Sequence, residues 1–258
     1  MRIQHNIMAM NANRNLTFNN SQLAKNLEKL SSGYKINRAG DDAAGLAISE
    51  KMRADVAIYD QSIRNANDGI SMVQTAEGAM TEIHSMLNRM VTLATQGANG
   101  TYTDTDQAKI DLELAALGAE IDRIETDTKF NGQAVFGQAY NFQVSEESAI
   151  TMESVATIGD VSGDATYDTA GIQAIKDHIA TVSEARAKLG ATQNRLEHTV
   201  NNLGVTMENL QNAESTIRDT NIADEMMKYT KNNILIQSAQ AMLAQANQVP
   251  QGVLQLMQ

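Results

Sequence analysis

Residues 73–94 read VQTAEGAMTEIHSMLNRMVTLA, and this stretch decides the fold. Its apolar residues recur at strictly alternating spacings of three and four over about three heptads, which places them on one seam of a helix. The seam consists of Val73, Ala76, Met80, Ile83, Leu87, Met90 and Ala94. Because an apolar seam of this length needs a partner, the stretch predicts long helices packed side by side.

A second seam lies more than a hundred residues further along the chain. It consists of Leu189, Leu196, Val200, Leu203, Met207, Leu210 and Ile217, again spaced by three, four or seven residues. Polar residues such as Asn194 and Asn201 fill the positions between them. The two seams therefore predict an antiparallel hairpin, in which the C-terminal helices lie against the N-terminal ones.

The two ends of the chain carry helical stripes of their own. The first stripe is Leu16, Leu23, Leu27 and Leu30. It stops at Gly33, and a new helix can begin after Asp42, so residues 34–42 are expected to form a connector. Near the other end, residues 226–248 carry Ile234, Leu235, Met242 and Leu243. Pro250 follows, and we expect it to kink or stop this last helix.

The middle of the chain has a different pattern. Residues 97–106 have the Gly, Asn and Asp content of a turn, and helical spacing resumes over 107–126. Residues 127–172 then contain short strand-like runs separated by Gly and Asp. The predicted fold class is mainly α: a long antiparallel helical hairpin or coiled-coil rod with a small β-hairpin region in the middle of the chain.

Composition excludes several classes of function. The 258 residues include 20 basic and 31 acidic side chains, for a net charge of -11, which disfavours nucleic acid or an anionic membrane as a partner. Cys is absent, so no disulfide or thiolate site is expected. No window approaches the roughly 20 apolar residues of a membrane span, so we expect no membrane insertion. The opening residues lack the apolar run of a secretory signal, so any export is expected to proceed without a cleaved signal peptide.

The sequence also lacks the motifs of catalysis. The histidines at 5, 84, 178 and 198 are far apart and none has the HExxH spacing of a zinc hydrolase. No phosphate-cradling loop or GxSxG elbow is visible. The adjacent Asp41 and Asp42 are better interpreted as residues of a helix start than as an acid/base pair. We therefore expect no catalytic, cofactor-binding or metal site, no cofactor, and no enzymatic activity.

Long runs of the sequence resemble one protein family. These runs are IQHNIMAMNANRNL near the start, LEKLSSGYKINRAGDDAAGLAISEKMRA (27–54), QSIRNANDGISMVQTAEGAM (61–80), LGATQNRLEHTVNNL (189–203) and ENLQNAESTIRDTNIADEM (208–226). They resemble the terminal portions of bacterial flagellins over roughly residues 1–145 and 180–258. The resemblance implies a short flagellin without the variable outer domains. It also implies a discontinuous inner polymerisation domain, residues 1–42 and 219–258, and an outer domain, residues 43–218.

The resemblance further implies a function and its partners. The chain would be a secreted structural subunit of the extracellular flagellum that forms a helical homopolymer for motility. Its other expected partners are a flagellar export chaperone and the filament cap and junction proteins. The terminal stripes hold more apolar surface than one helical pair can bury, so we expect neighbouring subunits to cover them. The expected polymerisation interface is Leu16, Leu23, Leu27, Leu30, Ile234, Leu235, Met242 and Leu243.

A host receptor is a further expected partner. The stretch LNRMVTLATQGANG (87–100) resembles the flagellin segment that Toll-like receptor 5 contacts, and Arg89, Leu93 and Glu113 match the contact positions of the family. Val91 and Thr92 depart from it, since recognised members carry charged residues there. An alternative is that Leu93 only packs beside the apolar seam while Arg89 is solvated.

Two rival functions remain open at the level of sequence. A hook–filament junction protein would share flagellin-like ends. A secreted coiled-coil effector or adhesin would be a stable monomer with ordered ends, whereas a filament subunit would have protease-sensitive ends that become protected on assembly.

Overall fold

The computed structural model describes residues 6–155, 157–159, 161 and 169–256. The helices are α1 (Ile7–Ser32), α2 (Ala43–Gly97), α3 (Asp104–Asp127), α4 (Thr169–Arg218) and α5 (Ile222–Leu256). The strands are β1 (Lys129–Phe130), β2 (Gln133–Ala134), β3 (Tyr140–Gln143) and β4 (Ala149–Met152). The chain divides into a terminal unit, Met1–Ala54 with Asn209–Gln258, and a central unit, Asp55–Glu208. The predicted mainly α class with a small β region in mid-chain is confirmed.

The core of the central unit is built on the apolar seam of α2. All seven predicted seam residues, from Val73 to Ala94, are fully buried, with 0% of their surface exposed. They pack with Leu114 and Ile121 of α3 and Leu196 of α4 in one hydrophobic cluster. The seam therefore positions three helices, as its spacing predicts.

The α2 and α4 helices run antiparallel within the central unit. Glu77 of α2 pairs with Arg186 of α4 at 3.6 Å, while the earlier Tyr59 of α2 lines a pocket with the later Leu203 of α4. From the second predicted seam, Leu189, Leu196 and Leu203 are buried and Val200, Met207, Leu210 and Ile217 are half-buried. The predicted helical hairpin is confirmed.

The α3 helix folds back beside α2. Gln107 Nε2 donates to the carbonyl oxygen of Gly97 at 3.1 Å, which fastens the start of α3 to the end of α2. The helix begins at Asp104, three residues before the predicted start. Asp104 and Asp106 account for this, since acidic residues in a first turn are stabilised by the positive end of the helix dipole.

The β region forms two separate antiparallel hairpins. In the first, Asn131 and Gly132 join β1 to β2 with φ values of 49° and 80°, the left-handed conformations that a two-residue hairpin turn requires. In the second, β3 pairs with β4, and the Phe142 ring lies against α2 where Gly69 has no side chain. A Cβ at Gly69 would lie 2.9 Å from that ring, so the close approach requires glycine.

The β region is shorter than residues 127–172. Its strands lie within 129–152, and residues 169–172 already belong to α4. Ile172 and Ile175 show why, because with Ile179 and Val182 they follow the three- and four-residue spacing of a helix rather than the alternation of a strand. Residues 156, 160 and 162–168 of the predicted β region lie outside the described residues.

The connector after α1 is confirmed. The α1 helix ends at Ser32, and Gly33 adopts φ 77° while its N–H donates to the carbonyl oxygen of Lys29 at 2.9 Å. Only glycine takes this left-handed cap without strain. The α2 helix begins after Asp42, whose Oδ1 accepts from Gly45 N at 2.9 Å, as expected for a helix-start aspartate.

Pro250 does not stop the last helix, which continues to Leu256. Proline has no N–H, so it cannot bond to the carbonyl oxygen of Ala246 four residues earlier. That oxygen accepts instead from Asn6 Nδ2 at 2.7 Å. Of the two predicted outcomes, a kink or a stop, the stop is wrong: the helix continues, and a residue 240 positions away satisfies the carbonyl that the proline leaves open.

Candidate assembly surface

The α1 and α5 helices pack against each other in the terminal unit. Asn6, which precedes α1, bonds to Ala246 near the end of α5. Asn26, near the end of α1, contacts Glu225 near the start of α5. The two helices are therefore antiparallel, and both ends of the chain contribute to one surface.

A buried polar network joins the two helices. In the amide orientation that satisfies both its atoms, Asn26 donates to Glu225 Oε1 at 2.9 Å and accepts from Asn232 Nδ2 at 3.0 Å. Asn26 and Glu225 are both buried, and Lys228 Nζ pairs with Glu225 Oε2 at 3.0 Å. Because leaving such groups unpaired is costly, the network favours one register of α1 on α5.

The two connectors of the terminal unit are fastened to each other. Tyr34 and Asp219 form an isolated antiparallel bridge. Arg218 Nη1 pairs with Glu50 Oε1 at 2.6 Å, and its guanidinium carbon lies 4.8 Å from the centroid of the Tyr34 ring. The hydrogen bond from Arg218 holds the pKa of Glu50 below its ordinary value. These contacts fix where α1 ends relative to where α5 begins.

The terminal unit leaves most of its apolar surface uncovered. Its buried apolar residues, among those the structure describes, are Ile36, Ile236 and Ala246. Of the sixteen large apolar side chains exposed in the described residues, seven precede residue 55 and six follow residue 208, whereas three belong to the central unit. The thirteen are Ile7, Met8, Met10, Phe18, Leu27, Tyr34, Ile48, Ile222, Met226, Met227, Ile234, Leu235 and Met242. Exposed apolar surface on this scale is typical of an interaction site.

The residues expected at the polymerisation interface all lie on this pair of helices. Leu27, Ile234, Leu235 and Met242 are exposed, whereas Leu16, Leu23, Leu30 and Leu243 are half-buried. Seven further apolar residues of this helix pair are exposed and were not among the predicted interface residues: Ile7, Met8, Met10, Phe18, Ile222, Met226 and Met227. The sequence does contain a signal for them, because α1 and α5 carry apolar residues on more than one face. Such a pattern predicts helices that are contacted from more than one side.

Charge is divided unequally between the two units. Residues 55–208 contain 23 acidic and 9 basic residues, a net charge of -14. Residues 1–54 with 209–258 contain 8 acidic and 11 basic residues, a net charge of +3. The unit with the exposed apolar surface is thus the one whose copies repel each other least.

The three residues matched to receptor contacts lie close together but are not equally accessible. Arg89 Nη2 of α2 pairs with Glu113 Oε1 of α3 at 2.8 Å, and Arg89 Nε donates to the same oxygen at 3.0 Å. Both side chains are exposed, whereas Leu93 is 3% exposed and belongs to the hydrophobic cluster. Leu112, beside Glu113, is 73% exposed and offers the apolar surface that Leu93 does not.

Glu125 is the half-buried carboxylate of the central unit whose pKa is raised. Burial is the largest cause, and nearby Asp122 adds to it. Glu125 Oε1 accepts from Ile158 N at 2.8 Å, and this bond and the charge of His178 act in the opposite direction. The carboxylate fastens the segment after β4 to α3.

The described part of the chain shows no grouping of three or more His, Cys, Asp or Glu that could hold a metal ion. Within the same residues, no helix combines the length and the apolar character that crossing a membrane requires.

Comparison with known proteins assigns the family. The family model for the bacterial flagellin N-terminal helical region matches residues 3–141, and that for the C-terminal helical region matches residues 172–257. A flagellin from Halalkalibacterium halodurans is 51% identical over 271 positions, and one from Bacillus subtilis is 45% identical over 303, with 100% of both chains covered in each case. A solved structure of a flagellar hook-associated protein from Vibrio parahaemolyticus matches 69% of this chain and 100% of its own with a TM-score of 0.61; at 15% identity this is a likeness of fold alone. The chain belongs to the bacterial flagellin family.

Proposed function

We propose that this subunit polymerises through the exposed apolar faces of α1 and α5. Membership of the flagellin family makes the chain a structural subunit of the extracellular flagellar filament. The polymerisation domain is residues 1–42 with 219–258, and residues 43–218 form the outer domain.

The apolar surface of the terminal unit carries this proposal. The central unit buries the α2 seam within one chain, but Phe18, Met227 and Ile234 are 57–64% exposed in the isolated subunit. Covering a side chain of this size contributes about 1.5–3 kcal/mol. Identical subunits supply the cover by head-to-tail contacts that do not close into a ring, which generates an open helix.

The same apolar surface also needs a partner in two other situations: in the free subunit before assembly, and in the subunits at the two ends of the filament. An export chaperone covers it in the free subunit, and the filament cap and junction proteins contact it at the two ends of the polymer. The support for these partners is the same exposed apolar surface, which is an aggregation hazard when left free.

Seeded polymerisation tests the proposal directly. The purified chain is added to filament fragments and followed by negative-stain electron microscopy, with limited proteolysis before and after seeding. We expect long filaments whose ends become protected from protease. Chains lacking residues 1–33 or 226–258 should stay monomeric, and the truncated chains forming normal filaments would contradict the proposal.

A point variant sharpens this test. Ile234→Asp places a charge on the exposed face of α5 and should abolish elongation, because a neighbour would have to bury it unpaired. Leu112→Asp is the matched control, since Leu112 is also exposed but belongs to the central unit. A persistent wild-type monomer with already protected ends would instead favour the junction-protein or the secreted effector or adhesin function.

A second candidate function is recognition by Toll-like receptor 5. The observation in its favour is the exposed Arg89–Glu113 pair beside the exposed Leu112. In this proposal Arg89 and Glu113 contact the receptor, and the buried Leu93 holds α2 in place beneath them.

Receptor affinity of two arginine variants tests this contact. Arg89→Ala should weaken binding by roughly tenfold or more, which corresponds to about 1.4 kcal/mol. Arg64→Ala is the control, because Arg64 forms a comparable exposed ion pair with Asp60 on the same helix. Equal affinities for Arg89→Ala and wild type would argue against the contact.

A further inference from the structure

Nine of the described methionines are divided by burial between the two units, while Met52, Met86 and Met207 are half-buried. Five in the terminal unit are 46–66% exposed: Met8, Met10, Met226, Met227 and Met242. Four in the central unit are at most 4% exposed: Met72, Met80, Met90 and Met152. The exposed thioethers therefore lie in the unit that holds the assembly surface, and the shielded ones lie in the hydrophobic core.

Exposed thioethers are open to a defined chemical change. A peroxide transfers one oxygen atom to the sulfur, the O–O bond breaks, an S–O bond forms, the sulfur is oxidised to a sulfoxide by two electrons, and the peroxide is reduced to water. The reaction depends on access to the sulfur, so core methionines react slowly. A sulfoxide is polar and chiral, and it no longer packs as an apolar side chain.

We propose that the exposed methionines of α1 and α5 form a two-part oxidation-sensitive site that controls elongation of the filament. Met8, Met10 and Met242 lie near one end of the helix pair, and Met226 and Met227 lie near the other. Peroxide converts them to sulfoxides in the free subunit, and the modified subunit cannot be added because a neighbour would have to bury the new polar oxygens. In the filament the same residues are covered and react slowly. The proposal rests on the proposed polymerisation function.

A hollow on α5 shows how these sulfurs are displayed. Met226 and Met227 line it together with Thr230, Lys231 and Ile234. Two adjacent thioethers thus border the exposed Ile234, where the insertion of a neighbouring side chain is expected. Oxidation of the two thioethers would make the lining of this hollow more polar.

The experiment uses the full chain and hydrogen peroxide. Free subunits and preformed filaments are treated in parallel, and peptide mass spectrometry measures the oxidised fraction at each of the nine methionines named above. Seeded elongation is then measured for treated and untreated subunits. Methionine sulfoxide reductases of both epimer specificities are added to a further sample to restore the thioethers.

We expect the five exposed methionines to oxidise at least tenfold faster than the four core ones in the free subunit, and to be protected in filaments. Treated subunits should fail to elongate seeds, and reductase treatment should restore elongation. A variant with all five exposed methionines changed to Leu should elongate before and after peroxide. If that variant does not assemble untreated, Met226→Leu/Met227→Leu replaces it, and it should retain more elongation after peroxide than wild type.

The outcomes separate this proposal from the function on which it rests. Untreated wild type that never elongates seeds overturns the proposed function and this proposal with it. Wild type that elongates normally with all five methionines oxidised overturns the oxidation-sensitive site alone. Equal loss of elongation in wild type and in the Leu variant used also overturns it, since the sensitive group then lies elsewhere.

Discussion

The side chain of Asn6 forms hydrogen bonds with the backbone of two helices. Its Oδ1 accepts from Ala9 N at 3.1 Å and so caps α1, while its Nδ2 donates to Ala246 O at 2.7 Å on α5. The second bond replaces the one that Pro250 cannot make. The N-terminal cap and the C-terminal proline are therefore energetically coupled, although they lie near opposite ends of the chain.

A double-mutant cycle tests this coupling. Asn6→Ala should lower the free energy of unfolding of the terminal unit by about 1–2 kcal/mol through the lost cap and the unsatisfied carbonyl, as measured by urea denaturation. In a Pro250→Ala background the cost should be smaller, because the substituted alanine supplies a backbone N–H to Ala246 O. Asn6→Ser keeps an oxygen that can accept the capping hydrogen bond from Ala9 N but lacks an amide long enough to reach Ala246 O. This variant therefore separates the capping of α1 from the bond to α5. Equal costs in both backgrounds would refute the coupling.

Glu125 gives a pH dependence of known sign. Burial raises its folded pKa above the ordinary 4.5, so the folded chain holds this proton more tightly than the unfolded chain. Its contribution to the free energy of unfolding is therefore largest at low pH and falls as pH rises from 4.5 through the folded pKa.

The variant Glu125→Gln cannot titrate and still offers an oxygen to Ile158 N. Its free energy of unfolding relative to wild type should therefore increase from about pH 4 to about pH 7, as measured by urea denaturation. Glu147→Gln, in the exposed turn between β3 and β4, serves as the control. A difference that is flat with pH, or that decreases, would show that Glu125 does not titrate as described.

At the scale of elements, the α2 seam determines the stability of the central unit. Leu87→Ala removes a fully buried side chain and should lower the free energy of unfolding by about 2–5 kcal/mol. Leu112→Ala on α3 removes an exposed one and should change it by less than about 0.5 kcal/mol. Urea denaturation of the two variants checks this, and similar values for both would contradict the assignment of the core.

Periodicity predicted the helices well because burial and spacing are tied to each other within one element. The seven residues from Val73 to Ala94 needed no tertiary information. The contacts between distant elements could not be predicted in this way. Nothing in the sequence around Asn26 indicates that its partner is Glu225, and nothing around Asn6 indicates that it binds the carbonyl oxygen of Ala246. For the same reason, the sequence around Pro250 did not decide between a kink and a stop of α5.

The candidate surface was predicted in part for a related reason. The spacing of apolar residues placed Leu27 and Ile234 on the terminal helices. A stripe alone does not show which helix faces remain exposed to solvent in a single chain. Met8 and Phe18 lie outside the leucine stripe of α1, from which the interface was predicted. Only the packing of α1 on α5 distinguishes the half-buried Leu16 and Leu23 from these exposed neighbours.

At the scale of the whole molecule, the division of charge bears on assembly. Each subunit that joins the filament brings a net charge of -11, of which the central unit contributes -14 and the terminal unit +3. Repulsion between central units therefore opposes addition, and salt weakens it, since the Debye length falls from about 30 Å at 0.01 M to about 10 Å at 0.1 M.

Elongation should therefore accelerate as monovalent salt is raised over that range. Light scattering of seeded reactions measures the rate. Potassium chloride and sodium chloride should act alike, because the effect is one of screening. An elongation rate that falls steadily with added salt would mean that attraction between the units dominates.

The contact of Phe142 with Gly69 has one more consequence. It fixes the β3–β4 hairpin to α2 close to its turn, and the buried Met152 holds the returning strand at the other end of the hairpin. The turn that carries the exposed Glu146 and Glu147 is thus free to lengthen between two held points. Loop closure costs only about 0.6 kcal/mol for each doubling of loop length, so this turn is where a guest peptide could be grafted and displayed without altering either terminal helix.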